Sequence, residues 1–256
     1  MKNRRKMPRR KYVIIMAAGS GTRMGAEVPK QFLELDGKAI LQRTIEIFLN
    51  ACPGISIITV LPESHIDYWR KYCLDRNFIC PQVLVKGGIT RFHSVRNALD
   101  KVPEGALVAV HDAVRPLVSE AFIKEMFDKA ENISSLIPVL PCVDTMKVLE
   151  KKKMQGEEVL VEMEGRSVDR SVLYAAQTPQ IFHSEVIKEA YGQAFDTAFT
   201  DDASVVLKYG KNLSYLIGER FNIKITTQDD LVLAKAILSL SCSSSRLRRS
   251  LCSDIP

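Results

Sequence analysis

No apolar run in this chain of 256 residues approaches the roughly 18 residues of a membrane span. None of its six cysteines stands in a C-x-x-C pair, so the common zinc and dithiol spacings are missing. They read instead as reduced, partly buried thiols of a cytoplasmic protein. No segment repeats internally. There is no P-loop, because neither Gly37-Lys38 nor Gly210-Lys211 has the required spacing. The dinucleotide fingerprint is missing too: Gly21 and Gly25 are separated by three residues, and Pro29 disfavours helix at Val28.

Acid is lacking where base is densest. Residues 1–11 hold Lys2, Arg4, Arg5, Lys6, Arg9, Arg10 and Lys11 with no Asp or Glu. The last fifteen residues hold three arginines and Asp254. The net charge of +6 therefore resides in the tails, and the body between them carries about −3. This predicts a basic disordered extension (1–11), one folded domain (12–241) and a low-complexity disordered tail (242–256). A protein whose main role is nucleic-acid binding would be expected to carry its basic patch on the folded body. A module gripping phosphate backbones through its tails is the reading of another class. It predicts strongly salt-dependent binding that vanishes on removal of residues 1–11. The basic start before Tyr12–Ala18 superficially resembles a signal peptide, but the apolar run is only seven residues and ends in a charged loop.

What is present begins at that loop. Tyr12–Met16 reads as a buried strand, followed by Ala17-Ala18-Gly19-Ser20-Gly21-Thr22-Arg23-Met24-Gly25 and then Pro29-Lys30. Glycine lets backbone N–H groups approach phosphate oxygens, and Arg23 and Lys30 supply fixed cations. That combination suits a polyphosphate. Strand and helix then alternate. Helices are expected at 39–50, 64–76, 90–102 and 120–130, and strands at 55–61, 82–85, 107–110 and 136–140. The rhythm predicts an α/β fold with a mostly parallel sheet covered on both faces.

Between Cys142 and Leu173 the rhythm breaks. The stretches 145–150 and 159–164, around a turn-like 151–156, predict a β-hairpin with little core of its own. Such an arm needs something to pack against, most simply a second subunit. Afterwards the α/β pattern returns: strands over 177–182 and 213–217, helices from Glu185 and over 203–209, an element at 222–225, and a last helix with a capping box between Thr227 and Asp230.

Ligands of open parallel sheets bind beyond the carboxyl ends of the strands. The residues following each strand are Gly19, Gly21, Arg23 and Lys30; Gly87, Gly88 and Arg91; His111, Asp112 and Arg115; Asp144 to Lys147; Thr178-Pro179; Thr200-Asp201; and Lys224. Each has an ordinary structural explanation. Gly87-Gly88 reads as a turn, His111 as a satisfied buried histidine, Asp112 as a backbone cap, and Lys147 and Lys224 as strand-edge lysines. Their convergence on one rim, rich in cations and poor in acids, suits a nucleoside triphosphate beside a second phosphorylated molecule.

Taken together, several motifs resemble the 2-C-methyl-D-erythritol 4-phosphate cytidylyltransferases. They are Ala17 to Met24, Pro29-Lys30-Gln31, Gly87-Gly88 with Arg91 and Ser94, and His111-Asp112-Ala113-Val114-Arg115-Pro116. Further along come Asp144-Thr145-Met146-Lys147, Val168-Asp169-Arg170, Thr178-Pro179-Gln180 and Asn222 to Thr226. The resemblance implies a Rossmann-like nucleotidyltransferase sheet with a protruding β-arm for dimerisation. It implies transfer of CMP from CTP to the polyol phosphate, releasing pyrophosphate, on the non-mevalonate route to isoprenoids. On this resemblance Ala17, Ala18, Gly19, Ser20 and Gly21 wrap the triphosphate, and Arg23 and Lys30 stabilise the transition state. Gly87, Gly88 and Ser94 line the cytosine pocket, and Asp112, Ala113 and Lys224 also border CTP. Asp112, Arg115, Thr145, Thr178, Thr200 and Lys224 hold the acceptor, and Arg170 reaches the neighbouring subunit's site. Mg²⁺ held mainly by the CTP phosphates is the expected ion. A ribitol-5-phosphate cytidylyltransferase would share the fold and the CTP loop; Asp144 to Lys147 and Val168 to Arg170 favour methylerythritol phosphate. Val114 stands where the family usually has alanine.

Overall fold

The computed structural model describes residues 8–19, 28–154, 156–163 and 168–252, with side chains placed up to residue 240. Its centre is four parallel strands in the order β5-β4-β1-β6: β1 (Lys11–Met16), β4 (Ser56–Leu61), β5 (Gln82–Lys86) and β6 (Leu107–Asp112). A short antiparallel pair, β2 (Glu34–Leu35) and β3 (Lys38–Ala39), precedes the first helix. Neighbouring strand residues point to opposite faces, so strands apolar at every position must be covered twice. Val13 and Ile15 of β1 pack with Leu41, Ile45 and Phe48 of α1 (Ile40–Ala51), while Ile14 faces the opposite layer. The first layer continues through Trp69 of α2 (Ile66–Asp75) and Phe122 and Phe127 of α4 (Glu120–Ala130). The second is built by α3 (Arg91–Leu99), α5 (Ser184–Tyr191) and α6 (Asp202–Lys208). Each fully buried Ile or Phe in these layers contributes about 1.5–3 kcal/mol.

The core strands are parallel, as expected of a mostly parallel sheet, and the late half supplies its antiparallel part. β7 (Ser135–Pro141) pairs antiparallel with β10 (Tyr174–Ala176) and β11 (Gln180–His183), and β11 also runs antiparallel to β6. β10 and β11 run in one direction, both antiparallel to β7, with only Gln177-Thr178-Pro179 between them; the chain reverses in the excursion through the arm between β7 and β10. β12 (Ser214–Ile217) joins β7 in parallel. The expected element at 222–225 is not a strand; the segment is tied down by Ile225 N–H donating to the Val114 carbonyl (2.9 Å).

The arm is a hairpin of β8 (Leu149–Met154) and β9 (Glu157–Glu162), with its turn later than the expected 151–156. The run Lys151 to Lys153 reads as turn because it is polar. In a hairpin with no buried residue, nothing requires a strand to be apolar. Opposite charges across it fix the register instead, as in Lys151–Glu158 (2.9 Å), each pair adding about 0.2–1 kcal/mol.

The termini differ from expectation at their inner ends. Residues 8–11, assigned above to the extension, belong to the fold: Lys11 is in β1, the Arg10 carbonyl accepts from Leu107 N–H (2.8 Å), and Arg9 pairs with Glu185 (2.7 Å). Residues 1–7 lie outside the described residues. The last helix, α7 (Gln228–Cys252), starts with the expected reciprocal cap. Thr227 N–H donates to Asp230 (2.8 Å), and Asp230 N–H donates to Thr227 Oγ1 (3.2 Å). It continues past Cys242 because no Gly or Pro interrupts the segment before Asp254. Among the described residues, no helix is long and apolar enough to cross a membrane.

Candidate active site

A cleft of about 520 Å³ opens at the carboxyl ends of β1 and β6. Ala17, Ala18, Gly19 and Lys30 line one side, Gly88, Arg91 and Ser94 a second, and Asp112, Ala113 and Lys224 a third. Ser20, Gly21 and Arg23 fall outside the described residues.

The start of the first loop is held by two bonds. Ala17 N–H donates to the Val60 carbonyl (2.9 Å), and Gln31 Nε2, almost fully buried, donates to the Ala17 carbonyl (2.8 Å). Lys30 begins a single 3₁₀ turn after Pro29. Phe32 at its other end is buried against Trp69 and Tyr68, which fixes the turn. Gln31 carries out a role for which the sequence offered only adjacency to Lys30.

The second wall is shaped by Ser94, whose hydroxyl donates to the Thr90 carbonyl (2.9 Å) and accepts from Gly88 N–H (2.9 Å). The hydroxyl thus sets the loop's shape. Both glycines are required by close approach. A Cβ on Gly87 would lie 2.8 Å from Ala18 Cβ, and one on Gly88 would meet the His93 backbone carbon at 2.9 Å. A helix backbone yields poorly. If this wall borders CTP, as the resemblance implies, Gly88→Ala is expected to raise the KM for CTP roughly tenfold, about 1.4 kcal/mol, with the fold intact. Steady-state kinetics at varied CTP checks it; an unchanged KM would remove Gly88 from the nucleotide subsite.

The third wall is electrostatic. The Asp112 carboxylate lies 3.0 Å from Lys224 Nζ and 3.3 Å from Arg115 Nε. Burial pushes its pKa up, but Arg91, Lys224 and Arg115 outweigh that and hold it well below the usual carboxylate range. Arg115 also donates through Nη1 to the Asn222 carbonyl (2.8 Å). Thr178 is buried: its Oγ1 accepts from Asp112 N–H (3.1 Å) and pairs with His111 Nδ1 (3.0 Å).

An unanticipated ion pair flanks the cleft. Arg91 makes a fork to the fully buried carboxylate of Asp202 (2.8 and 2.6 Å), which also accepts from Tyr191 Oη (2.6 Å). It joins the start of α3 to the start of α6 across more than a hundred residues, a separation no local pattern reveals. Thr200, Thr145 and Arg170 do not line this cleft; all three are exposed, and Arg170 donates to the Val143 carbonyl of its own chain (3.0 Å).

His111 is fully buried, as expected of a structural histidine, and burial pulls its pKa from 6.5 down to about 4. A depressed histidine pKa means that the unfolded chain takes the proton first. The stabilising effect is complete above about 6.5 and is lost as pH falls toward 4. Urea unfolding at about pH 7 and about pH 4.5 is expected to show a loss of roughly 2–3 kcal/mol from this group. Asp112 acts in the same direction only below its ordinary range, so the window above about pH 4.5 belongs to His111. Constant stability across that window would contradict neutral burial.

Comparisons with known proteins agree with this geometry. The model of the IspD family, 2-C-methyl-D-erythritol 4-phosphate cytidylyltransferase, matches residues 12–240. The protein of that name from Phocaeicola vulgatus is 42% identical over 228 residues, covering 89% of this chain and 99% of the relative. That from Porphyromonas gingivalis is 42% identical over 235 residues, 91% of this chain and 100% of the relative. Among solved structures, 4-diphosphocytidyl-2C-methyl-D-erythritol synthase from Anaerococcus prevotii superposes with a TM-score of 0.70 at 26% identity, over 90% of this chain and 99% of that one. The Francisella tularensis enzyme gives a TM-score of 0.68 at 30% identity, over 88% and 98%. On the match of the family model across nearly the whole folded body, this chain belongs to the 2-C-methyl-D-erythritol 4-phosphate cytidylyltransferase family.

Proposed function

We propose that this chain transfers CMP from CTP to 2-C-methyl-D-erythritol 4-phosphate, giving 4-diphosphocytidyl-2-C-methyl-D-erythritol and pyrophosphate for isoprenoid precursor synthesis. The observation that carries the reading is one cleft bringing the Ala18-Gly19 backbone and Lys30 opposite Lys224 and Asp112. An acceptor phosphate oxygen attacks the α-phosphorus of CTP, and the bond to the bridging oxygen of the departing pyrophosphate breaks. That nucleophile is already anionic near neutral pH, so no general base is needed. The difficulty is bringing two anions together and holding charge on a five-coordinate phosphorus, which positioned cations and amides address. Lys30 and Arg23 serve the triphosphate. Lys224, Arg115 and Asp112 orient the acceptor, with Thr178 beneath them.

The donor set fits a divalent ion carried by the nucleotide. The one acid lining the described cleft, Asp112, is engaged by two cations, and no cluster of three metal-ligating side chains occurs among the described residues. Mg²⁺ bound to the CTP phosphates would supply charge neutralisation there.

The active form in this reading is a cytoplasmic homodimer joined through the β-arm. Two features support the dimer: no described residue of the hairpin is buried, and at its root exposed Val172, Tyr174, Tyr215 and Ile217 border an apolar groove of about 690 Å³. A second copy's arm suits such a surface, and Arg170 then enters the neighbouring cleft.

Incubation with CTP, Mg²⁺ and either methylerythritol phosphate or ribitol 5-phosphate, followed by pyrophosphate detection, tests the acceptor. Turnover with methylerythritol phosphate is expected; equal or faster turnover of ribitol 5-phosphate would overturn it.

A further inference from the structure

The histidine beneath the acceptor side is not used by the chemistry above, yet both of its ring nitrogens are engaged. Nε2 faces the Arg115 carbonyl at 3.1 Å. A carbonyl only accepts, so Nε2 carries a proton. Nδ1 faces Thr178 Oγ1 at 3.0 Å, and that oxygen receives Asp112 N–H at 3.1 Å. A peptide N–H only donates, so the Thr178 oxygen accepts there and keeps its own proton to give; a neutral ring protonated at Nε2 leaves Nδ1 bare, and the Thr178 hydroxyl donates to it. The directions close without remainder: Asp112 N–H to Thr178, Thr178 O–H to His111, His111 Nε2–H to the Arg115 carbonyl.

We propose that His111, held as the neutral Nε2-protonated tautomer, is a positioning residue for the transfer reaction, locking the Asp112 peptide and the Arg115 carbonyl where the acceptor is held. The inference rests on the assignment of Asp112, Arg115 and Lys224 to the acceptor. Asp112 and Arg115 are adjacent to the ring in space, and Phe48 of α1 packs edge-on at 4.9 Å. An imidazolium would turn Nδ1 into a second donor toward Thr178 and place a further cation beside Arg115. The lock extends sideways, since Asn222 Nδ2 donates to the Thr178 carbonyl (2.8 Å) while the Asn222 carbonyl takes Arg115 Nη1 (2.8 Å). The end of β6, the turn before β11 and the segment bearing Lys224 therefore share one hydrogen-bonded knot. Its members come from three distant stretches, and a shift of the ring would move the Asp112 carboxylate and with it Lys224.

The test has two arms. In protein labelled with ¹⁵N-histidine, two-bond ¹H–¹⁵N spectra between about pH 6 and 8 report the tautomer directly. The His111 signal, identified by its loss in His111→Gln, is expected to show the Nε2–H pattern without titration. An Nδ1–H tautomer or an imidazolium at about pH 6 overturns the proposal, whatever the enzyme's activity. In the kinetic arm, Thr178→Val and His111→Gln are expected to raise the KM for the acceptor about tenfold, with the KM for CTP within about twofold. Thr178→Ser is expected to recover most of what Thr178→Val loses. Equal changes in both KM values, or none, would mean that the knot only supports the fold, and would overturn the proposal. If the unaltered protein fails to transfer CMP, the reaction assignment falls, and the tautomer measurement still decides the state of His111.

Discussion

Lys30→Ala is expected to lower kcat by about 10²–10³-fold while leaving the melting temperature within a few degrees of the parent. Lys30 lines the cleft at the start of a turn whose position depends on its neighbours: Gln31 grips the Ala17 carbonyl, and Phe32 is buried among aromatic rings. Removing the lysine side chain leaves both anchors in place. What disappears is a cation lining the cleft, in the proposed reading one that faces the triphosphate, and a charge contact that strengthens as the α-phosphorus becomes five-coordinate acts on kcat more than on CTP affinity. Single-turnover kinetics and circular-dichroism melting separate the two effects. Near-normal turnover would remove Lys30 from the reaction, and a collapsed melting curve would make it a folding residue.

The second large effect concerns Arg170. In its own chain this side chain is exposed, bonded to the Val143 carbonyl, and does not line the cleft. If it serves the partner's cleft, Arg170→Ala should lose about 10²-fold in kcat/KM for the acceptor, with CTP binding intact. Mixed dimers sharpen this. A site formed by Lys30 of an Arg170→Ala subunit and Arg170 of a Lys30→Ala subunit is complete. Equal mixing and subunit exchange should therefore restore about one quarter of parental activity, because half the dimers are mixed and each has one whole site. No recovery despite demonstrated exchange would place Arg170 in its own subunit's chemistry.

The elements that determine the site were largely legible. A short apolar strand ending at Ala17–Gly19 with Lys30 just beyond, and a strand end at His111-Asp112, are local patterns with local causes; Gly21 and Arg23 lie outside the described residues. The helix 120–130 and the Thr227–Asp230 cap likewise depend on neighbours in sequence. What escaped was set by distance along the chain. The antiparallel β11 follows from an excursion through the arm, which strand propensity cannot report. The fork between Arg91 and Asp202 spans two halves of the molecule. The motifs suggested Thr178 and Ser94 as substrate contacts, but a hydroxyl's partner is decided by what surrounds it. In both cases the fold itself supplies one: His111 and Asp112 for Thr178, and Thr90 and Gly88 for Ser94.

All six residues of β6 are buried, including Asp112, which lines the cleft, and His111 beneath it, whereas no described residue of the hairpin is buried. The two regions should therefore differ in their tolerance of change. Substitutions on the floor would be felt by the folding equilibrium before they altered which molecule is accepted, so that surface is confined to very few amino-acid solutions. Within one subunit the arm contributes little to the folding equilibrium, so what constrains it is the contact proposed with a second copy. A laboratory search for altered polyol preference should accordingly accumulate its successful variants at Thr145 and around Arg170, and leave His111-Asp112 untouched.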